Sequence, residues 1–289
     1  MKRISTETQG IKFFHQTISW IILGGILFLR LIVGGVGIAL LKNHSWIDPV
    51  YQIGTYLLTA FLIYWERNQL KDFHIDKLTL IIIIIFKPLQ TLILNSWHIK
   101  NPLAFPNWPS ITLWVISIIL AVLLRQSRRT LPKFTGRSII WLVIGIAIGL
   151  VASILFAYPM SLQTHWVQPL TRNVIIEGFR NTPITFLYQL GFAAVSEEPL
   201  FRGFLWGYLL KAGWKGVWIW LFQAGLFMLG HIYYIGKLPI SFWILVPVSA
   251  LVFGALVWRS KTISSSLAAH ATMNTFGIVF ANVVTFLAK

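Results

Sequence analysis

The sequence predicts an all-α protein, a polytopic transmembrane helix bundle. Of its 289 residues, 56% are hydrophobic and only 11% are charged, whereas soluble domains carry about 25% charged residues. The mean hydropathy is +0.73, and apolar runs such as LIIIIIF at 80–86 recur along the chain. Because a spanning helix needs about 20 apolar residues, the chain has room for about eight or nine spans and for no sizeable soluble domain.

Apolar runs between polar breaks define the candidate helices in chain order. They lie at 18–41, 49–65, 78–96, 109–124, 138–158, 184–210, 217–234, 240–257 and 264–287. No internal repeat or low-complexity linker divides them, so we treat the chain as one integrated membrane domain. Residues 1–182 carry no assignable motif, and residues 183–289 hold the motifs described below.

Two local patterns predict how particular spans are built. Gly145, Gly149 and Ser153 recur every four residues, a spacing that lets helix backbones approach closely in lipid. Pro199 removes one backbone hydrogen bond and disfavours helical geometry at Glu198, so we expect a kink or a restart there.

The basic residues predict the orientation. The net charge is +16, from 24 Lys and Arg against 8 Asp and Glu. With a cytoplasmic N-terminus, 15 basic residues fall on the cytoplasmic side, three (Arg30, Lys87 and Arg202) lie within spans, and six lie outside: Lys42, Lys100, Arg172, Arg180, Lys237 and Lys289. The positive-inside rule therefore favours a cytoplasmic N-terminus. Because the basic residues lie mostly in short loops that orient the chain in the bilayer, they indicate membrane lipid as a partner and argue against nucleic acid.

Composition also limits the chemistry and the location. The chain has no cysteine, which excludes disulfides, thiolate metal sites and a cysteine nucleophile. The apolar stretch from Ile18 is too long for a cleavable signal peptide and contains Arg30. We expect a multi-pass protein of a bacterial plasma membrane, although the sequence leaves an organelle membrane open.

A few ionisable residues lie in apolar spans, where a central charge facing lipid costs about 2.5–3.5 kcal/mol. Glu197 and Glu198 are the only acidic residues there, and His231 and His270 lie in similarly apolar stretches. We therefore expect them to face a shielded interior. Glu198 lies four residues before Arg202 and can form an ion pair with it, whereas Glu197 is turned by about 100° and points elsewhere.

Three motifs follow one another in these spans: EExxxR from Glu197 to Arg202, FxxxH from Phe227 to His231, and HxxxN from His270 to Asn274. Together they resemble the CPBP family of intramembrane proteases, which includes the type II CAAX prenyl endopeptidases and proteins of bacteriocin processing and self-immunity. The resemblance covers about residues 183–286.

This resemblance implies peptide-bond hydrolysis near the cytoplasmic face, in a helical cavity that opens toward the cytosol. It implies that Glu197 and His231 activate water, that His270 and Asn274 stabilise the oxyanion, and that Glu198 and Arg202 shape the site. The substrate is expected to be a peptide or protein, with a lipidated CAAX tail and an unlipidated leader or membrane peptide both open. The oligomeric state is not predicted.

Several alternatives stay open at the level of the sequence. Glu197, His231 and His270 are candidate ligands of a divalent metal such as zinc, with a fourth position for water, but a metal-free glutamate and histidine mechanism is equally compatible. A non-proteolytic scaffold, a bacteriocin immunity factor or an ion-coupled transporter would also keep a polar core. We expect Arg30 to pair with interior carbonyls or to snorkel, and Lys87, next to Pro88, to line a break or an aqueous pocket.

Overall fold

The computed structural model describes residues 2–37, 40, 46–97, 100–127, 131–163 and 170–288, with side chains from Phe14 onward. Every regular element in these ranges is helical. Six of the described helices are long and apolar enough to cross a membrane. The predicted all-α membrane bundle is confirmed.

Ten helices form the described bundle. They are α1 (Lys2–Phe28, continued by a π-helical segment Leu29–Gly37), α2 (Ile47–Trp65), α3 (Lys77–Ser96), α4 (Trp108–Gln126), α5 (Gly136–Ser161), α6 (Arg172–Arg180), α7 (the uninterrupted helical segments from Thr182–Gln189 to Trp206–Lys211), α8 (Gly216–Leu229), α9 (π-helical Ser241–Leu245, then Val246–Ser260) and α10 (Ser264–Leu287). Each predicted span corresponds to one of these helices, and α6 is an additional short helix. The predicted end of the first span at 41 lies outside the described residues.

The long helices alternate in direction, so their connections gather at two ends of the bundle. At one end, Ser19 and Tyr208 donate hydrogen bonds to Glu66 at 2.6 and 2.8 Å, and Thr262 donates to Asp76 at 2.8 Å. We call this the basic end; it comprises the first turns of α1 and the connections at 66–76, 131–135, 212–215 and 261–263. The other end, the distal end, comprises the connections at 100–107 and 230–238 and the contact of Gln163 with Ser241 at 2.7 Å.

Small residues bring α5 and α10 into backbone contact, as their spacing predicts. A Cβ atom added at Gly149 would lie 2.6 Å from the carbonyl oxygen of Ala269, and one added at Gly145 would overlap the carbonyl oxygen of Ser265. Ser153 turns its hydroxyl back to the Gly149 carbonyl at 2.8 Å. The close approach fixes α10, which carries His270, against α5.

The expected break at Pro199 does not occur. Glu198 keeps helical angles, with φ −64° and ψ −43°, and a π-helical segment Pro199–Leu205 follows it. The wider π turn accommodates the proline, because it re-pairs the backbone groups around the missing N–H. Glu197, Glu198 and Arg202 are therefore held on one continuous helix.

Candidate active site

Residues of the three motifs meet at the centre of the bundle. Glu197 lies midway along α7, His231 in the connection after α8, and His270 in the first half of α10. Glu197 Oε1 is 3.9 Å from His231 Nε2, and Glu197 Oε2 is 3.9 Å from His270 Nε2. All three side chains are buried and, with Asn274, line one cavity of about 400 Å³. The sequence-predicted convergence of these residues is therefore present in the structure.

A second ion pair lies directly behind this cluster. Glu198 Oε1 is 3.0 Å from His270 Nδ1 and 3.2 Å from Arg202 Nη1, and Arg202 also donates to the Ala250 carbonyl at 3.2 Å. Both charged side chains are fully buried and do not line the cavity. A carboxylate can only accept, so His270 donates through Nδ1, and Glu198 thereby turns Nε2 of the ring toward Glu197.

His231 is oriented by the other residue of its motif. Its Nδ1 is 2.8 Å from the Phe227 carbonyl oxygen, which makes Nδ1 the protonated nitrogen because a carbonyl can only accept. The Phe227 ring packs against the imidazole in a tilted arrangement, with centroids 4.7 Å apart and the ring planes at 38°. The FxxxH spacing therefore supplies both a backbone acceptor and an apolar surface, and leaves Nε2 facing the cluster.

Arg30 is a member of the cluster that the sequence did not assign to the site. It lies in the π-helical segment of α1 and is 2% exposed. One guanidinium nitrogen is 2.7 Å from Glu197 Oε1 and 3.2 Å from His231 Nε2, and the other donates to the Gly230 carbonyl at 2.7 Å. The expected pairing with an interior carbonyl is confirmed, but the carboxylate contact was missed. The available signal was that Glu197 lacked a basic partner on its own helix.

The arrangement does not fit a divalent metal held by Glu197, His231 and His270. Among the described residues, no three histidine or acidic side chains form a group that could hold a metal ion. The Arg30 guanidinium contacts Glu197 Oε1 and His231 Nε2, so two of the three candidate ligand atoms already face a fixed cation. A second cation at this point would be repelled by Arg30.

Asn274 lines the cavity, whereas Lys87 does not. Asn274 Nδ2 donates to Gln189 Oε1 at 3.2 Å, and both side chains line the cavity. Asn274 lies one turn after His270 on α10, and Gln189 lies about two turns before Glu197 on α7. Lys87 lies behind the wall instead of lining it, and it donates to Gln52 at 2.5 Å and to Ser196 at 3.1 Å. The helix around Pro88 is unbroken, so the expected break is absent.

Among the described residues, the wall of the cavity extends from the cluster toward the distal end. Its outermost wall residues include Asp48 in the first turn of α2 and Met160 in the last turn of α5, and the most exposed of them, Ile278, is 41% exposed. The first turn of α10, toward the basic end, is fully buried.

Comparison with known families supports the resemblance drawn from the motifs. Residues 179–276 match the family described as type II CAAX prenyl endopeptidase Rce1-like. The match covers about a third of the chain and includes all three motifs, but it does not include Arg30. No curated protein and no solved structure matches this chain.

Proposed function

We propose that this protein, whose residues 179–276 match the Rce1-like family of type II CAAX prenyl endopeptidases, is an intramembrane endopeptidase that uses Glu197 as its base. The observation that carries this proposal is the gathering of Glu197, His231, His270 and Asn274 around one buried cavity. A transporter needs a carboxylate in such a cavity but has no need of amide and imidazole donors beside it. The same grouping offers a base and oxyanion donors in one place.

The base acts through one defined oxygen. Glu197 Oε2 is buried and has no hydrogen-bond partner among the described residues, whereas Oε1 is held by Arg30. Oε2 and His270 Nε2 are 3.9 Å apart, too far for a direct hydrogen bond but close enough for one water molecule to contact both. Glu197 takes a proton from that water while the water oxygen attacks the peptide carbonyl carbon. Glu197 later gives the proton to the leaving nitrogen.

Arg30 and His231 prepare the base. Arg30 offsets the charge of Glu197, which lowers the cost of keeping an ionised carboxylate out of water. His231 carries its proton on Nδ1, bonded to the Phe227 carbonyl, so its Nε2 can accept a hydrogen bond from the Arg30 guanidinium, 3.2 Å away. The two residues hold Glu197 in one orientation before the substrate binds.

The oxyanion is stabilised on the wall formed by α10. The side-chain amide of Asn274 has two hydrogens. Among the described residues, one of them is donated to Gln189. The other can point at the carbonyl oxygen of a peptide. His270 faces the same part of the cavity from one turn earlier. Because its Nδ1 hydrogen is donated to Glu198, it donates to the oxyanion through Nε2 only when the ring carries a second proton, a form that the neighbouring Glu198 carboxylate favours. Donors aimed at the developing charge are worth about 2.7–4 kcal/mol each in related acyl-transfer sites.

We propose that this hydrolysis needs no metal ion. The support is the position of Arg30, whose guanidinium faces two of the three candidate ligand atoms. Glu198 and Arg202 act as positioning residues for His270 and do not touch the substrate. The substrate is a peptide or protein segment, and the choice between a lipidated and an unlipidated one is left to the assay.

The Glu197→Gln variant tests the proposal. Purified protein in proteoliposomes is offered two probes, a farnesylated CAAX-type peptide and a library of internally quenched apolar peptides. We expect turnover of whichever probe is cut to fall by at least about 10³-fold, since the amide cannot take a proton from water. The matched control is Glu177→Gln, a surface change on α6 that should retain full activity. Cleavage by Glu197→Gln at the wild-type rate contradicts the assignment, and proton- or sodium-driven flux without cleavage favours a transporter.

A further inference from the structure

We propose that a second cavity, at the basic end of the bundle, binds the phosphate group of an anionic membrane phospholipid. Its volume is about 280 Å³, and it shares no described lining residue with the cavity that contains Glu197. It lies between the connections at 66–76, 131–135 and 261–263, which contribute Lys71, Lys133 and Lys261, and the first turn of α5, which contributes Arg137. We call it the basic-end cavity. This site is independent of the proposed function.

The charge of the basic-end cavity is strongly positive. Its four cationic side chains come from four different segments, and none of them forms an ion pair with another described residue. Asp76 is the only carboxylate among the described lining residues, and its two oxygens already accept hydrogen bonds from the Thr79 N–H and from Thr262 Oγ1, both at 2.8 Å. The four cations therefore lack a counter-ion in this part of the chain, and an anion bound between them would supply it.

Three of the six candidate membrane spans begin at the basic-end cavity. They are α3, which begins at Lys77, α5, which begins at Gly136, and α10, which begins at Ser264. The first turn of a helix carries partial positive charge and N–H groups without an intrahelical acceptor. Thr135, the residue before α5, lines the cavity but gives no side-chain hydrogen bond to those N–H groups. The helix ends therefore add to the attraction of the four cations for a phosphate group.

The inner wall of the basic-end cavity is polar and is held in place without a ligand. His74 Nδ1 donates to the Arg202 carbonyl at 3.2 Å, and the Ile263 N–H donates to the His74 carbonyl at 2.9 Å. His74 and Lys261, with φ of 56° and 60°, are the two non-glycine residues with left-handed backbone in the described ranges, and both line this cavity. Such conformations persist where the surrounding structure enforces them. The site is therefore formed in advance, which lowers the cost of binding.

The surroundings of the basic-end cavity favour a phospholipid over free phosphate. The cavity lies where spanning helices begin, which is the level of the lipid headgroups. Phe134, Ile139 and Ile140, beside the lining residues Thr135 and Arg137 in the chain, are exposed, and the acyl chains of a lipid held by its phosphate can cover them. The cations would repel the ammonium group of a zwitterionic headgroup. Basic pockets between transmembrane helices are typical sites for anionic headgroups.

Thermal unfolding of the purified full-length protein in an uncharged detergent tests the proposal. Three probes are titrated separately: dioctanoyl phosphatidic acid, dioctanoyl phosphatidylcholine and inorganic phosphate. A ligand that binds only the folded protein raises the melting temperature with its concentration, which gives an apparent Kd. We expect phosphatidic acid to raise the melting temperature. The other two probes should need at least about tenfold higher concentrations for the same rise, since one lacks net negative charge and the other lacks acyl chains.

Variants then locate the site. Lys133→Gln with Arg137→Gln removes two cations of the basic-end cavity at exposed positions. The matched control, Lys215→Gln with Arg259→Gln, removes the same charge from exposed positions at the same end of the bundle, outside this cavity. We expect the apparent Kd for phosphatidic acid to rise about 30-fold in the first double variant and at most about threefold in the control. Lys261→Gln, on another wall, should raise it about fivefold and provides a second test if the double variant is unstable without lipid.

Four results would overturn the proposal. Phosphatidic acid could leave the melting temperature of the wild type unchanged, or phosphatidylcholine could act at the same concentration. Inorganic phosphate could bind as tightly as phosphatidic acid, which would exclude a lipid as the specific ligand. The control pair could weaken binding as much as the cavity pair, which would indicate general attraction to the basic end. Because the measurement is unfolding, none of these results depends on peptide cleavage.

Discussion

The ion pair between Arg30 and Glu197 predicts a measurable energetic coupling between the first helix and the motif helix. Arg30→Met removes a 2.7 Å contact with Glu197 and a 2.7 Å hydrogen bond to the Gly230 carbonyl, and it leaves a buried carboxylate without its partner. Breaking a buried pair from one side costs about 3–5 kcal/mol. Glu197→Gln should also destabilise the protein, because it leaves the guanidinium uncompensated.

The double variant Arg30→Met with Glu197→Gln has no unpaired charge at this point. We therefore expect its loss of unfolding free energy to fall short of the sum of the single losses by about 2 kcal/mol. The assay is reversible unfolding in mixed detergent and lipid micelles, followed by tryptophan fluorescence. Arg67→Met is the matched control, since Arg67 contacts the carbonyl and the ring of Tyr64 at the basic end and should not couple to Glu197. Additivity of the two cluster changes within about 0.5 kcal/mol would refute the reasoning.

Three further predictions concern packing, pH and metal. Gly149→Ala should destabilise the protein by about 1–3 kcal/mol, because the new methyl group meets the Ala269 backbone. Gly225→Ala is the control, since a Cβ atom there meets open space. Equal melting temperatures of the two variants would contradict the close approach of α5 and α10. Burial lowers the pKa of His74 from its ordinary value of 6.5, so the unfolded chain binds this proton more readily and stability falls as the pH drops below about 6.5. His74→Asn, which tolerates the left-handed φ of 56°, should reduce that loss in unfolding curves recorded between pH 7 and pH 5, and an unchanged difference would exclude His74 as its source. Prolonged dialysis against a chelator should leave peptide cleavage intact with no bound zinc by elemental analysis, whereas inactivation that zinc reverses would refute a metal-free site.

Much of the fold could be predicted from the sequence, because a membrane-spanning helix is recognised by the length and low polarity of its segment. Apolar runs locate nine of the ten described helices, six of which are long and apolar enough to span. The spacing of Gly145 and Gly149 predicts a close backbone contact, and the structure identifies α10 as the partner. The short helix α6 was not predicted, since its nine residues lie in a polar connection and are too few to span. At Pro199 the local rule failed because a π turn absorbed the proline without a break.

The site divides in a similar way. The convergence of Glu197, His231 and His270 was predictable, because buried charge must avoid lipid and the motifs set the register. The partner of Glu197 was not, since Arg30 lies 167 positions earlier in the sequence and no local spacing connects them.

Arg30 reaches the site from α1, far outside the segment that carries the family motifs, and this restricts how the protein can be divided. A hybrid joining residues 179–289 to the leading helices of an unrelated membrane protein would inherit the carboxylate of Glu197 without its counter-ion. If the chain were split after residue 178, the two fragments would have to associate before the charges of Arg30 and Glu197 could neutralise each other. The start of the segment that matches the family is therefore not a position at which the preceding helices can be replaced without loss of the site.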